Sequence, residues 1–192
     1  ASDENSAYSG IDVDDVPEAP EIMEYGFEDT GMGLDSSLRP IYVHRPVENA
    51  EDIVNWAKSQ GLESITDVSD MHVTVAFSRK PVAWGTIEET AQQNKIISPR
   101  GGFRAMQKFG DESGVIVLEF GDNALESRHE SIKGMGASWD WPQYRPHITV
   151  SHKTEGVDIS QIEPYKGEII LGPEVFEPLD ENWKSKVVLD ET

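Results

Sequence analysis

Two copies of one tripeptide carry the reactive side chains of this chain: His72-Val73-Thr74 in MHVTVAF and His147-Ile148-Thr149 in PHITVSH. Side chains two apart on a strand share a face, so His72 and Thr74 would stand about 6.6 Å apart along one face, as would His147 and Thr149. Imidazole titrates near neutral pH and can take or give a proton, and a neighbouring threonine hydroxyl can donate to a phosphate oxygen. Two such pairs across a groove supply a general base, a general acid and two donors for developing charge, with no metal or other cofactor required. A blander account has both histidines satisfied by nearby carbonyls and both threonines serving as strand formers. A zinc site is a third account, but neither histidine has an Asp or Glu at a recurring ligand spacing.

The elements that must position the pairs repeat with them. Shifted by 75 residues, Ile41, Glu51, Lys58, Gly61, His72, Thr74 and Val75 fall on Ile116, Glu126, Lys133, Gly136, His147, Thr149 and Val150 without a gap. Each unit reads as an apolar run, a helical stretch ending at glycine, and the motif strand. The pattern predicts strands over 39–47 and 71–78, and helices over 49–60 and 86–94. Strands follow in KIIS, FRAMQKF and GVIVLEF, with Pro99 and Gly101-Gly102 turning the chain between the first two. A helix over 124–134, capped by Asn123 with Glu126 three residues on, leads to the second motif strand over 147–152. GEIIL and EVFEPL, joined at Gly172-Pro173, and WKSKVVLD close the chain as strands. The fold class is α+β, with two pseudo-symmetric lobes of antiparallel strands and a helix, interleaved around 39–112 and 113–192, and a groove between them.

Composition limits the partners. Residues 1–38 hold eleven Asp or Glu and no Lys or Arg, which reads as a disordered acidic arm or linker. Removing its eleven charges from the net of −20 leaves −9 for residues 39–192. That acidity argues against long RNA or DNA, and a small nucleotide fits better. Six Lys or Arg against two Glu between Arg79 and Lys108 give either a wall of the phosphate site or a solvated loop and hairpin. No apolar run is long enough to span a bilayer and the N-terminus lacks a signal-peptide pattern, so a cytoplasmic protein is expected. Zero cysteine excludes disulfides and thiol catalysis. The first residue is not Met, which suggests trimming or a segment of something longer. Arg145 pairs with phosphate or with a local carboxylate. His44, His129 and His152 read as surface or packing residues, with His152 near enough to the motif to line the groove's rim. Trp56 and Trp84 read as packing residues, and Trp139 and Trp141 as packing or base-stacking residues.

Paired His-x-Thr on duplicated lobes resembles the two-histidine phosphoesterase superfamily, whose members act on 2′,3′-cyclic or 3′-5′ phosphodiesters of RNA-type nucleotides without metal. Within it, IYVHRPVENAEDIVNWAKSQG, SDMHVTVAFSRKPVAW, YRPHITVSH and GPEVFEPLDENW resemble the phage anti-CBASS nucleases, which destroy cyclic di- and trinucleotide alarm signals. The likeness spans about residues 40–184 and leaves the acidic arm unmatched. It implies catalytic roles for His72, Thr74, His147 and Thr149, and base contacts from Tyr42, Glu177 and Trp183. By their own surroundings, Tyr42 would be a core residue, Glu177 the exposed side of a strand, and Trp183 a loop residue at a rim. The resemblance further implies a small cyclic nucleotide substrate, action in the cytoplasm of an infected bacterium, and a place within a larger phage protein, since some portal proteins carry a similar module. Other functions remain open here: a cyclic phosphodiesterase acting on RNA ends, or a non-catalytic nucleotide sponge or virion domain.

Overall fold

A computed structural model describes residues 38–110 and 114–179. The expected acidic arm, save Leu38, and the stretch holding Trp183 and WKSKVVLD lie outside them.

The two units form as the repeat predicts. In the first, strand β1 (Leu38–Pro46) pairs antiparallel with strand β2 (His72–Ala83), and helix α1 (Ala50–Ser59) lies between them in the chain. Helix α1 has an apolar face, and it buries Ala50, Ile53 and Ala57. Gly61 follows it at φ 78°, a left-handed conformation that a Cβ would strain. A short helix α2 (Trp84–Glu89) follows β2, ending five residues earlier than the periodicity suggests. Ile87 and Glu88 carbonyls accept from the Thr90 and Ala91 amides and close it there.

In the second unit, strand β5 (Val115–Phe120) pairs antiparallel with strand β6 (His147–Ser151), and helix α3 (Asn123–Gly134) lies between them in the chain. Its cap is Asp122, not the expected Asn123: the Asp122 carboxylate accepts from the Ala124 and Leu125 amides. Gly136, the partner of Gly61 in the repeat, also has positive φ, 107°.

Each pair is completed by a strand from elsewhere. Strand β8 (Val175–Pro178) joins β1, giving a sheet ordered β2-β1-β8, and strand β4 (Arg104–Phe109) joins β5, giving β4-β5-β6. Strand β3 (Ile96–Ser98) pairs with strand β7 (Ile169–Leu171). The hairpins expected between KIIS and FRAMQKF, and at Gly172-Pro173, are therefore not formed. Arg45 explains the second case: its buried guanidinium donates to the Gly172 and Asn94 carbonyls, and the Gly172 amide donates to Pro46. The chain there is tied to β1 instead of turning back on itself. One apolar core unites both units, with Ile41, Val43, Val73 and Val75 in one and Ile116, Leu118, Ile148 and Val150 in the other. Among the described residues no helix is long and apolar enough to cross a membrane.

Candidate active site

The strands deliver both histidines in the same state. A carbonyl only accepts, so His72 Nδ1 must be the N–H that donates to the Asp70 carbonyl at 2.8 Å. His147 Nδ1 donates likewise to the Arg145 carbonyl at 2.8 Å. Asp70 and Arg145 occupy equivalent places in the repeat. In each neutral ring the lone pair then sits on Nε2, the nitrogen remote from the backbone.

Their surroundings differ. His72 is half-buried and lines a cavity of about 540 Å³, which Thr149, Tyr42, His44, His152 and Glu177 also line. His147 is only 7 % exposed, with Phe109 edge-on at 5.0 Å between ring centroids. Burial, with a smaller repulsion from His72, pushes its imidazole down to about 4 despite the Arg145 carbonyl. The two rings therefore feel one another's charge. Arg145 itself forms a buried two-point pair with Glu119, Nε to Oε2 at 2.9 Å and Nη2 to Oε1 at 3.0 Å. Of the two partners considered for Arg145, the carboxylate is the one it has. Glu119 lies opposite His147 in the β5–β6 register.

The remaining expected residues gather at the same place, with one outside the described residues. Thr74 lies within 3.3 Å of the Tyr42 hydroxyl. Tyr42 is buried yet lines the cavity, and Glu177 stands directly opposite it in the β1–β8 register. Trp183 is outside the described residues. His129 packs as expected, stacked on Tyr144 at 4.2 Å, and Trp56 and Trp84 anchor by indole N–H bonds to the Glu163 and Pro40 carbonyls. Trp141 belongs to a buried cluster with Phe109, Val115 and Val117.

One expectation fails, and one choice left open by the sequence is narrowed. His44, read as surface or packing, stacks on Tyr42 at 4.7 Å and places Nε2 3.3 Å from the Glu177 carboxylate inside the cavity. Its position two residues after Tyr42, hence on the same strand face, was the available signal. The basic stretch from Arg79 to Lys108 supplies no wall: none of its residues lines the cavity. Arg79 pairs with Asp140, Lys95 with Glu48, and Arg104 donates to the Pro99, Phe103 and Gly167 carbonyls. Sequence reasoning also missed Thr66, Asp67, Ser69 and Asp70, a loop before β2 that lines the cavity. It is pinned to the end of β6 by an Ile65–Ser151 bridge and a Thr66 amide bond to the Val150 carbonyl. Among the described residues no group of three or more His, Cys, Asp or Glu is placed to hold a metal ion.

Of the four motif residues, His72 and Thr149 line the cavity, while Thr74 reaches it through the Tyr42 hydroxyl and His147 lies buried behind it. Comparison with known proteins gives the family and the fold. A family model described as anti-CBASS protein Acb1 matches residues 39–186. The anti-CBASS protein Acb1 of Caulobacter sp. (strain RHG1) is 41 % identical over 151 residues, 78 % of this chain and 24 % of that protein. That of Vibrio phage KVP40 is 30 % identical over 137 residues, 69 % of this chain and 82 % of that protein. The chain thus spans about a quarter of the Caulobacter relative and most of the phage one. Among solved structures, Escherichia coli LigT complexed with NADP+ is similar in fold, with TM-score 0.51 and 16 % identity over 73 % of this chain and 87 % of that one. LigT complexed with 3′-AMP gives 0.50 and 14 % over 75 % and 97 %. The fold is that of the two-histidine phosphoesterases, and the chain belongs to the Acb1 family of anti-CBASS proteins.

Proposed function

We propose that this domain is a metal-independent phosphodiesterase that cleaves 3′-5′ bonds of cyclic di- and trinucleotide alarm signals, as a phage counter-defence enzyme acting in the host cytoplasm within a larger phage protein. One observation carries the reading. Two histidines at equivalent repeat positions share the same carbonyl-fixed tautomer and sense each other's charge, His72 lining a nucleotide-sized cavity and His147 buried within reach of its charge.

Burial keeps His147 neutral at physiological pH, so of the two histidines it is the one able to accept a proton, and we assign it as the base. His147 Nε2 takes the proton of the ribose 2′-hydroxyl, the 2′-oxygen bonds to phosphorus, and the bond to the 5′-oxygen breaks. His72, on the cavity and entering the step with a proton on both ring nitrogens, gives its Nε2 proton to that leaving oxygen and keeps the Nδ1 proton on the Asp70 carbonyl. Thr74 and Thr149 hold the non-bridging oxygens, and Tyr42, Glu177 and Trp183 contact bases. The products are a 2′,3′-cyclic phosphate and a 5′-hydroxyl, and water admitted in a second round opens the cyclic phosphate.

The test is incubation with 3′3′-cyclic GMP-AMP, denaturation, and chromatography of the nucleotides. The expected result is a linear product with wild-type protein, undiminished by EDTA, and a loss of at least about 10³-fold in rate with His72→Ala or His147→Ala. Recovery of intact ligand would mean a sponge. Loss of cleavage in EDTA, or cleavage of 2′,3′-cyclic monophosphates alone, would overturn the substrate or the mechanism.

A further inference from the structure

A cyclic dinucleotide carries at least two phosphates, and the two His-Thr pairs account for one. The described residues lining the cavity include three carboxylates, Asp67, Asp70 and Glu177, and no Lys or Arg. Positive charge can come there from three histidines. His72 serves the scissile phosphate and His44 lies against Glu177. The third is His152, three residues beyond Thr149 and exposed.

His152 does not stand alone. Its Nε2 lies 3.3 Å from the hydroxyl of Thr66, which also lines the cavity. The contact bridges the halves of the molecule, because the His152 amide donates to the Ser64 carbonyl while the Thr66 amide donates to Val150. The His–Thr combination of the motif strands therefore recurs beside them from residues far apart in sequence. Charged groups near it in sequence or on the adjoining loop have partners of their own. Asp67 accepts from the amide and hydroxyl of Ser69, and Lys153 pairs with Glu63 at 2.6 Å. Asp70 lines the cavity from the same loop and holds His72 through its carbonyl.

We propose that His152 and Thr66 form a second phosphodiester subsite, which binds the non-scissile phosphate of the cyclic substrate and sets its register against His72 and His147. This rests on the phosphodiesterase reading and adds a binding residue pair to it. A ligand with one phosphate leaves the subsite empty, so the device favours cyclic oligonucleotides over mononucleotides. It also explains how a cavity that, among the described residues, has no Lys or Arg in its lining receives a polyanion.

The test is steady-state cleavage of 3′3′-cyclic GMP-AMP by His152→Ala, His152→Lys and Thr66→Val. Loss of one charge-assisted contact made equally in ground and transition states raises KM about tenfold with kcat nearly constant in His152→Ala. Lysine restores a cation at the same place, so His152→Lys returns KM to within about threefold of wild type. Thr66→Val raises KM by a few-fold. A KM in His152→Ala equal to wild type, or a His152→Lys enzyme no better than His152→Ala, would overturn the subsite while leaving the phosphodiesterase reading intact. Failure of the wild-type enzyme to cleave would instead overturn that reading.

Discussion

The most exacting test of the site concerns the proton that His147 refuses. Its imidazole is pushed from the ordinary 6.5 to about 4, burial being the largest cause. In the unfolded chain the same group takes up a proton near 6.5, so between pH 6.5 and 4 the unfolded state binds more protons than the native one. Stability must therefore fall as pH falls through that window. Taking 1.36 kcal/mol per unit, the cost is about 0.2 kcal/mol at pH 7, about 2 kcal/mol at pH 5, and about 3 kcal/mol below pH 4. Carboxylates titrate in the same range, so the measurement is a difference. His147→Asn keeps an N–H aimed at the Arg145 carbonyl but cannot titrate. Urea unfolding of both proteins at pH 7.5 and pH 5 should show wild type losing about 2 kcal/mol more than the variant. Parallel loss in both proteins would refute the claim that His147 is neutral by burial, and with it the argument that His147 is the base.

Much of this site was legible because the repeat is a covalent fact. The 75-residue register placed His72 and His147 on equivalent strands, and the glycines it paired, Gly61 and Gly136, both adopt positive φ after their helices. Local patterns also gave β1, α1, β5 and α3 to within two residues. They could not give partners. β3 joins β7 and β8 joins β1 across more than 70 and 120 residues, and nothing in the alternation of KIIS or EVFEPL says which edge it will meet. The choice between Asp122 and Asn123 as cap was of the same kind, since both side chains can accept and only the backbone decides which one is extended. The basic stretch left two readings open, for an energetic reason. Guanidinium groups that meet carboxylates or carbonyls during folding, as Arg79 and Arg104 do, contribute to the fold and leave the cavity to histidine.

Two further perturbations separate backbone from electrostatic contributions. Nothing lies within 4 Å of a Cβ added at Gly61, so Gly61→Ala tests conformation alone and should cost about 1 kcal/mol in urea unfolding with activity per folded molecule retained. The pair behind His147 asks a sharper question. Glu119→Gln leaves the Arg145 guanidinium buried without its carboxylate, and breaking such a pair costs about 3 kcal/mol. If the pair served only stability, cleavage by the folded fraction would be unaffected. The backbone of Arg145, however, holds His147 Nδ1, and its side chain lies 5.0 Å over Phe109, which packs against the same imidazole. Release of Arg145 should therefore loosen the base as well, lowering kcat about tenfold, the scale of one misaligned catalytic hydrogen bond. Adding Arg145→Met to Glu119→Gln removes the stranded charge and keeps the carbonyl, so the double variant should regain most of both stability and kcat. Recovery of stability without kcat would mean that the ion pair acts on the reaction by its charge rather than by holding His147 in place.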